Sequence, residues 1–231
     1  MSETLTITTP DGAFSAYVAR PKAATAPAIV VIQEIFGVNK VMRDICDDLA
    51  AQGFVAVCPD LFWRLEPGID ITDQSEAEWK RAFELFNAFD VDAGVSDVGA
   101  TIAAVRGMDG VNGKVGAVGF CLGGLVAFLT ATRTDVDAAV SYYGVGIEKR
   151  VGEAEKLNHP LLMHIAEKDQ FVPPEAQQMI LNALKDHPQI EIHTYPGRDH
   201  AFAREGGAHY DAADAAKANG RSLAFFQKAL G

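Results

Sequence analysis

The chain is short of cysteine, has no long apolar run and carries no surplus of positive charge. Its three cysteines, Cys46, Cys58 and Cys121, are widely separated, odd in number and form no CxxC pair, which argues against a disulfide framework and against a zinc knuckle or other metal site. No apolar stretch approaches the ~20 residues of a membrane-spanning helix. The first ten residues, MSETLTITTP, lack the basic and apolar regions of a secretory signal. A cytoplasmic protein without membrane contact is therefore expected. Acidic residues outnumber basic ones by 31 to 20, for a formal charge of −11. That balance argues against a nucleic-acid partner, because binding a phosphate backbone depends on clustered Lys and Arg. It also repels small anions at long range, so an anionic substrate would need arginines at its own site.

The remaining composition is that of a folded globular protein. Hydrophobic residues make up 48% and charged residues 22% of 231, which suits one α/β domain over residues 1–231 with a sizeable core. Short β-branched runs alternate with longer amphipathic stretches, the pattern of βαβ crossovers and a mostly parallel sheet. Strands are expected at 5–8, 14–19, 28–32, 55–58, 115–119, 138–142, 161–165 and 190–195, the first two forming an antiparallel hairpin through Asp11-Gly12. Helices are expected at 40–52, 76–88, 91–105, 122–132, 174–185 and 208–230. Residues 61–73, with Pro67 and Gly68 and little periodicity, read as a loop lying over the carboxyl ends of the strands. No repeat divides the chain, and no apolar surface stripe calls for a partner, so a monomer acting on a small molecule is expected.

One segment carries chemistry. Lys114-Val-Gly-Ala-Val-Gly-Phe-Cys121-Leu-Gly-Gly124 runs from an expected buried strand directly into an expected helix, with Gly119 and Gly123 two residues either side of Cys121. This is nucleophile-elbow spacing with Cys in place of Ser. Glycines are needed because side chains there would collide with the neighbouring strand and helix. The helix amino terminus favours a thiolate and the oxyanion formed on attack. The bland alternative, a small buried hydrophobe, suits Cys46 and Cys58 better, since neither has this context.

An elbow enzyme places its acid and then its base after later strands, in the chain order nucleophile, Asp or Glu, His. Asp169 follows the strand at 161–165 and His200 the strand at 190–195. The imidazole would take the thiol proton and later protonate the leaving group, with the carboxylate fixing its tautomer. His164 lies inside an apolar strand and reads as a hydrogen-bonded core residue; His209 reads as opening the last helix. Asp199 is the rival carboxylate, but a sequence neighbour cannot easily face the adjacent ring. Glu34 follows the run 28–32 at once, at the carboxyl end of a central strand among apolar residues. The backbone N–H groups of Leu122 and Ile35 are the natural oxyanion donors.

With these residues placed, the chain resembles the dienelactone hydrolase (carboxymethylenebutenolidase) family almost end to end. The resemblance runs through Gln33-Glu-Ile-Phe-Gly-Val-Asn39, Val57-Cys-Pro-Asp-Leu61, Gly113-Lys-Val-Gly, Gly119-Phe-Cys-Leu-Gly-Gly124, Tyr142-Tyr-Gly-Val-Gly146 and His200-Ala-Phe-Ala-Arg204. It implies an α/β-hydrolase fold, no cofactor, and a triad on Cys121, Asp169 and His200. It assigns Glu34 the task of taking the thiol proton when substrate binds, which spares the cell a permanently exposed and oxidisable thiolate. It also implies a dienelactone substrate, opened through an acyl-enzyme to maleylacetate.

The family grips the substrate carboxylate with two arginines. Arg204 matches one; Trp79 stands where the other belongs, with Arg81 and Lys80 nearby. On a helix a shift of two residues turns a side chain by about 200°, so Arg81 is an imperfect substitute. Phe36, Phe83, Phe86 and Tyr143 match apolar pocket positions. The departure at Trp79 keeps a broader carboxylesterase or thioesterase in view. A ligand-binding or thiol redox-sensing protein is the reading from another class, and it would have no need of Asp169 and His200 in triad order.

Overall fold

The computed structural model describes residues 3–231. All the expected strands are present, as β1 (Glu3–Thr9), β2 (Gly12–Ala19), β3 (Ala26–Ile32), β4 (Val55–Pro59), β5 (Val111–Phe120), β6 (Ala138–Tyr142), β7 (Leu161–Ala166) and β8 (Ile190–Tyr195). The expected helices are α1 (Lys40–Ala51), α2 (Glu76–Ala88), α3 (Val91–Arg106), α4 (Leu122–Arg133), α5 (Pro174–Leu184) and α6 (Ala212–Leu230). The strand order is β1-β2-β4-β3-β5-β6-β7-β8, antiparallel at β1–β2 and β2–β4 and parallel at β3–β4, β6–β7 and β7–β8. By contact density the chain divides into two units, one ending at Ala117 and one comprising Val118–Gly231.

In the amino-terminal unit β3 is buried along its whole length, as expected of a parallel strand covered on both faces. The helices start where side chains satisfy free N–H groups: Asn39 accepts from Met42, Ser75 from Glu78, and Asp90 from Asp92 and Ala93. The segment 61–73 is irregular, as its sequence implies, yet firmly held. Asp60, itself buried, accepts hydrogen bonds from the N–H groups of Phe62 and Gly68 at 3.0 and 2.7 Å. Buried Asp97 accepts from the Trp63 indole at 2.8 Å and from Arg64 at 2.8 and 3.2 Å. Farther along, Ile71 N–H donates to Phe36 O and Asn39 Nδ2 to Ile71 O, tying the segment to the turn that follows β3. Gly37 is obligatory at that crossing: its φ is +77°, and a Cβ there would sit 2.0 Å from Ile69 O.

In the carboxy-terminal unit, residues 122–132 of α4 are buried without exception. His164 is a core residue, hydrogen-bonded through both ring nitrogens, in agreement with its reading from the sequence. Two features differ from expectation. The last helix begins at Ala212, not 208, because Asp211 caps it by accepting from Asp214 N–H at 3.0 Å; His209 therefore precedes the helix. Two short 3-10 helices, Ile147–Lys149 and Val151–Lys156, follow β6, and turns this short leave no periodic signal. Among the described residues no helix is long and apolar enough to cross a membrane.

Two glycines give opposite predictions. Gly220 is exposed inside α6, and a Cβ added there would meet nothing within 4 Å, so Gly220→Ala should stabilise by about 1 kcal/mol. A Cβ on Gly124 would lie 2.5 Å from Tyr142 O and 2.7 Å from Gly144 Cα, so Gly124→Ala should destabilise by roughly 2 kcal/mol or more. Urea denaturation checks both; equal effects of the same sign would contradict this packing.

Candidate active site

Residue 121 sits where β5 ends and α4 begins, and that position holds its backbone at φ 58° and ψ −116°. A left-handed φ is unusual for a residue with a side chain and is kept only where surrounding bonds enforce it. Here Cys121 N–H donates to Tyr142 O at 3.1 Å, while Cys121 O accepts from Gly124, Val145 and Leu125 at 3.0, 3.3 and 3.4 Å. The strand and helix either side come so close that a Cβ on Gly119 would lie 1.9 Å from Gly123 O. The elbow glycines are thus set by contact. Leu122 opens α4, so its N–H has no acceptor within the helix and is available to an anion beside Cys121.

His200 and Asp169 come together as expected: His200 Nδ1 lies 2.8 Å from Asp169 Oδ2, and both side chains are buried. The other oxygen, Oδ1, accepts from the N–H groups of Phe171 and Val172 at 2.8 and 3.3 Å, which aims Oδ2 at the ring. Asp199 instead accepts from His200 N–H at 2.7 Å and Gln170 N–H at 3.2 Å. It fastens the two loops together and leaves the ring to Asp169. Burial alone would lower the His200 pKa, but interaction with the Cys121 sulfur and the Asp169 hydrogen bond outweigh it and push the imidazole up to about 10. Nε2 is buried and makes no hydrogen bond of full geometry, although the Cys121 sulfur acts on the ring by charge and by hydrogen bonding.

Glu34 is buried in the turn after β3, at 2% exposure, beside buried Ile35 and Phe36. Trp79 packs edge-on to Phe36 with ring centroids 5.2 Å apart, stacks on Phe83 at 5.6 Å, and donates from its indole to Asp73 O at 2.9 Å. The Arg81 guanidinium, on the same helix, pairs with Glu66 at 2.5 Å and Glu84 at 3.1 Å on the surface. The two-residue offset on α2 turns it away from the Trp79 side. Arg204 is buried, four residues after His200, at 8% exposure. Among the described residues no group of three or more His, Cys, Asp or Glu is placed to hold a metal.

The dienelactone hydrolase family model matches residues 14–230. A protein of Azospirillum brasilense, provisionally named carboxymethylenebutenolidase, is 54% identical over 226 residues, covering 96% of each chain. The carboxymethylenebutenolidase of Pseudomonas putida is 44% identical over 226 residues, covering 97% of this chain and 96% of its own. The chain belongs to the dienelactone hydrolase family. A crystal structure from Klebsiella pneumoniae, of a protein provisionally named dienelactone hydrolase, matches with a TM-score of 0.85 at 29% identity and 98% coverage of both chains. The fold is the α/β-hydrolase fold, and as a member of this family the chain is a carboxylic ester hydrolase.

Three residues of this family member take on roles that the sequence does not declare. The Phe171 ring lies edge-on to His200, centroids 4.8 Å apart, and is 37% exposed. Tyr143 also meets the imidazole, at 5.1 Å, and is backed by fully buried Phe202. Tyr143 is expected from the family pattern; Phe171 and Phe202 sit two residues after Asp169 and His200, and that shared offset is the available signal. Asp199 reads in the sequence only as a rival to Asp169, whereas in the structure it is a clasp.

The raised His200 pKa gives a signed expectation. Because it lies above the ~6.5 of an unfolded histidine, the bound proton contributes stability that is complete below that pH and is lost as the pH rises through about 10. In Cys121→Ala the largest cause of the rise disappears while burial remains, so the His200 pKa should fall. A titration followed by ring 15N NMR measures it, and a value still near 10 would show that the sulfur does not act on the ring.

Proposed function

We propose that Cys121, His200 and Asp169 form a nucleophile, base and orienting-acid triad that opens a small enol lactone through a covalent acyl-enzyme. The observation that carries this reading is the buried 2.8 Å pairing of His200 with Asp169, on an imidazole that also feels the Cys121 sulfur. A thiol redox or ligand-binding protein has no use for that arrangement. In the proposed cycle the Cys121 sulfur attacks the lactone carbonyl, and the oxyanion is held by the N–H groups of Leu122 and Ile35. Collapse expels the ring oxygen as an enolate, leaving an open-chain acyl group on sulfur. Water, deprotonated by His200, then attacks the thioester and releases the carboxylate and the free thiol. Asp169 keeps Nδ1 protonated throughout, so that Nε2 is the nitrogen that exchanges protons.

The family resemblance supports Glu34 as the group that takes the thiol proton on substrate binding, and a buried carboxylate is present at that position. Nearly unbroken coverage by the family model supports one hydrolase domain. Arg204 is proposed to hold a substrate carboxylate, answering the need of an acidic chain for local positive charge.

A second reading, a broader carboxylesterase or thioesterase, is favoured by one observation. Where the family carries its second arginine this chain has Trp79, sandwiched between Phe36 and Phe83, and the nearest arginine on that helix is occupied by Glu66 and Glu84. That surface suits an apolar or flat conjugated group better than a second carboxylate contact. The two readings separate in a panel of neutral and carboxylate-bearing lactones and esters. Cys121→Ala should abolish turnover of all of them. Arg204→Ala should cost about 100-fold in kcat/KM on the carboxylate-bearing lactone and little on its neutral counterpart; an equal loss on both would remove the anion site.

A further inference from the structure

Behind the elbow, in the carboxy-terminal unit, five hydrogen bonds run in series through buried side chains. Arg221 Nη1 donates to Tyr195 Oη at 3.1 Å; Tyr195 Oη meets His164 Nδ1 at 2.8 Å; His164 Nε2 meets Ser222 Oγ at 2.9 Å. Ser222 Oγ in turn meets Tyr142 Oη at 2.7 Å, and Tyr142 Oη donates to Asn219 Oδ1 at 2.9 Å. Tyr142, His164 and Tyr195 are each at 1% exposure and Ser222 at 7%.

The chemistry of the ends gives this chain a direction. A guanidinium can only donate, so the Tyr195 oxygen accepts from Arg221 and has its own hydrogen for His164 Nδ1. With Nδ1 an acceptor, a neutral imidazole carries its proton on Nε2 and donates it to Ser222. Ser222 then donates to Tyr142, and Tyr142 to Asn219, which closes the chain with an acceptor. Burial, reinforced by the neighbouring His193 and the Arg221 guanidinium, holds the His164 pKa well below the ordinary histidine value, so the ring is neutral. His193 stacks on it from β8 at 6.1 Å and is itself paired with Glu191, while Tyr142 packs on it from β6 at 4.4 Å.

The backbones of the same residues hold the site. Tyr142 O accepts the Cys121 N–H, and His164 O accepts the Tyr143 N–H at 2.8 Å. Tyr143 keeps a strained φ of 37° while its ring lies against His200. Tyr142 and His164 are therefore each fastened twice, by main chain to Cys121 and to Tyr143 respectively, and by side chain to Ser222 on α6.

We propose that Ser222, through the Tyr142 and His164 side chains it joins, positions Cys121 and His200 for reaction. The role rests on the reading of Cys121 as nucleophile and His200 as base. Ser222 touches neither substrate nor the reacting atoms and is a positioning residue. Loss of its hydroxyl leaves the His164 Nε2–H without its acceptor and the Tyr142 oxygen without its donor in a closed space, and β6 and β7 shift under Cys121 and Tyr143. A displacement of a fraction of an ångström there lowers the rate of attack more than it alters substrate binding.

The test uses the full-length protein, p-nitrophenyl acetate as the ester probe, and the variants Ser222→Ala and Tyr142→Phe; the second removes one oxygen and keeps the ring, so it carries the test if the first does not fold. Ring 15N NMR should find the wild-type His164 neutral with its proton on Nε2 between about pH 6 and 8. In both variants kcat should fall about tenfold with KM within roughly twofold of wild type, and alkylation of Cys121 by iodoacetamide should change with it. A proton on Nδ1 would overturn the direction of the chain and the role built on it. Variants that melt at lower temperature but keep wild-type kcat would show a purely structural network and overturn the positioning role alone. Turnover that survives Cys121→Ala would overturn the reading of the site, and the positioning role with it.

Discussion

The left-handed backbone of Cys121 is the constraint on which the carboxy-terminal half of the chain is organised. A φ of 58° in a residue with a Cβ costs on the order of 1–2 kcal/mol. It is held by Gly124 and Leu125 N–H on its carbonyl from the next turn, by Tyr142 O on its N–H and Val145 N–H on its carbonyl from β6 and the loop after it, and by Gly119 and Gly124 at crossings too tight for any side chain. In return the sulfur stands at the amino terminus of a fully buried helix, where first-turn N–H groups and the helix dipole stabilise negative charge. Everything else at the site follows from where that sulfur sits. His200 takes its raised pKa from it, Asp169 steadies the ring, and Asp199 clasps the two loops that carry them.

Much of this is legible in the sequence, for identifiable reasons. β3, with its Ile-Val-Val-Ile end, is a short β-branched run buried throughout, so its composition alone declares it. Glycines flanking a cysteine between a strand and a helix announce the elbow, because no other residue fits where a Cβ would meet a carbonyl oxygen at 1.9 Å. The chain order Cys121, Asp169, His200 singles out an acid and a base candidate, and those two side chains are hydrogen-bonded. What is not legible depends on tertiary contact. The start of α6 is decided by the Asp211 cap against an Ala-rich stretch that would extend the helix. Phe171 has no periodicity to mark it, and its place against His200 follows from the turn that Asp169 Oδ1 imposes. The Ser222 chain joins residues up to 80 apart in sequence, a relation that no local pattern encodes.

The substrate side is governed by a different balance. A chain of net charge −11 that takes an anionic lactone must oppose its own field locally, and Arg204 is the buried cation beside the proposed base. At the position where a second cation would help, Trp79 contributes an aromatic surface continuous with Phe36 and Phe83. Family membership gives the class of bond cleaved and does not by itself assign the substrate.

The central claim is that the acyl group passes through sulfur 121. Acid quenching of the enzyme during turnover of an activated ester, followed by intact-protein and peptide mass spectrometry, tests it directly. The account predicts one acyl adduct per chain, on the peptide containing Cys121, lost on treatment with hydroxylamine as a thioester is. An adduct on another residue, or rapid turnover with no adduct at any quench time, would contradict it.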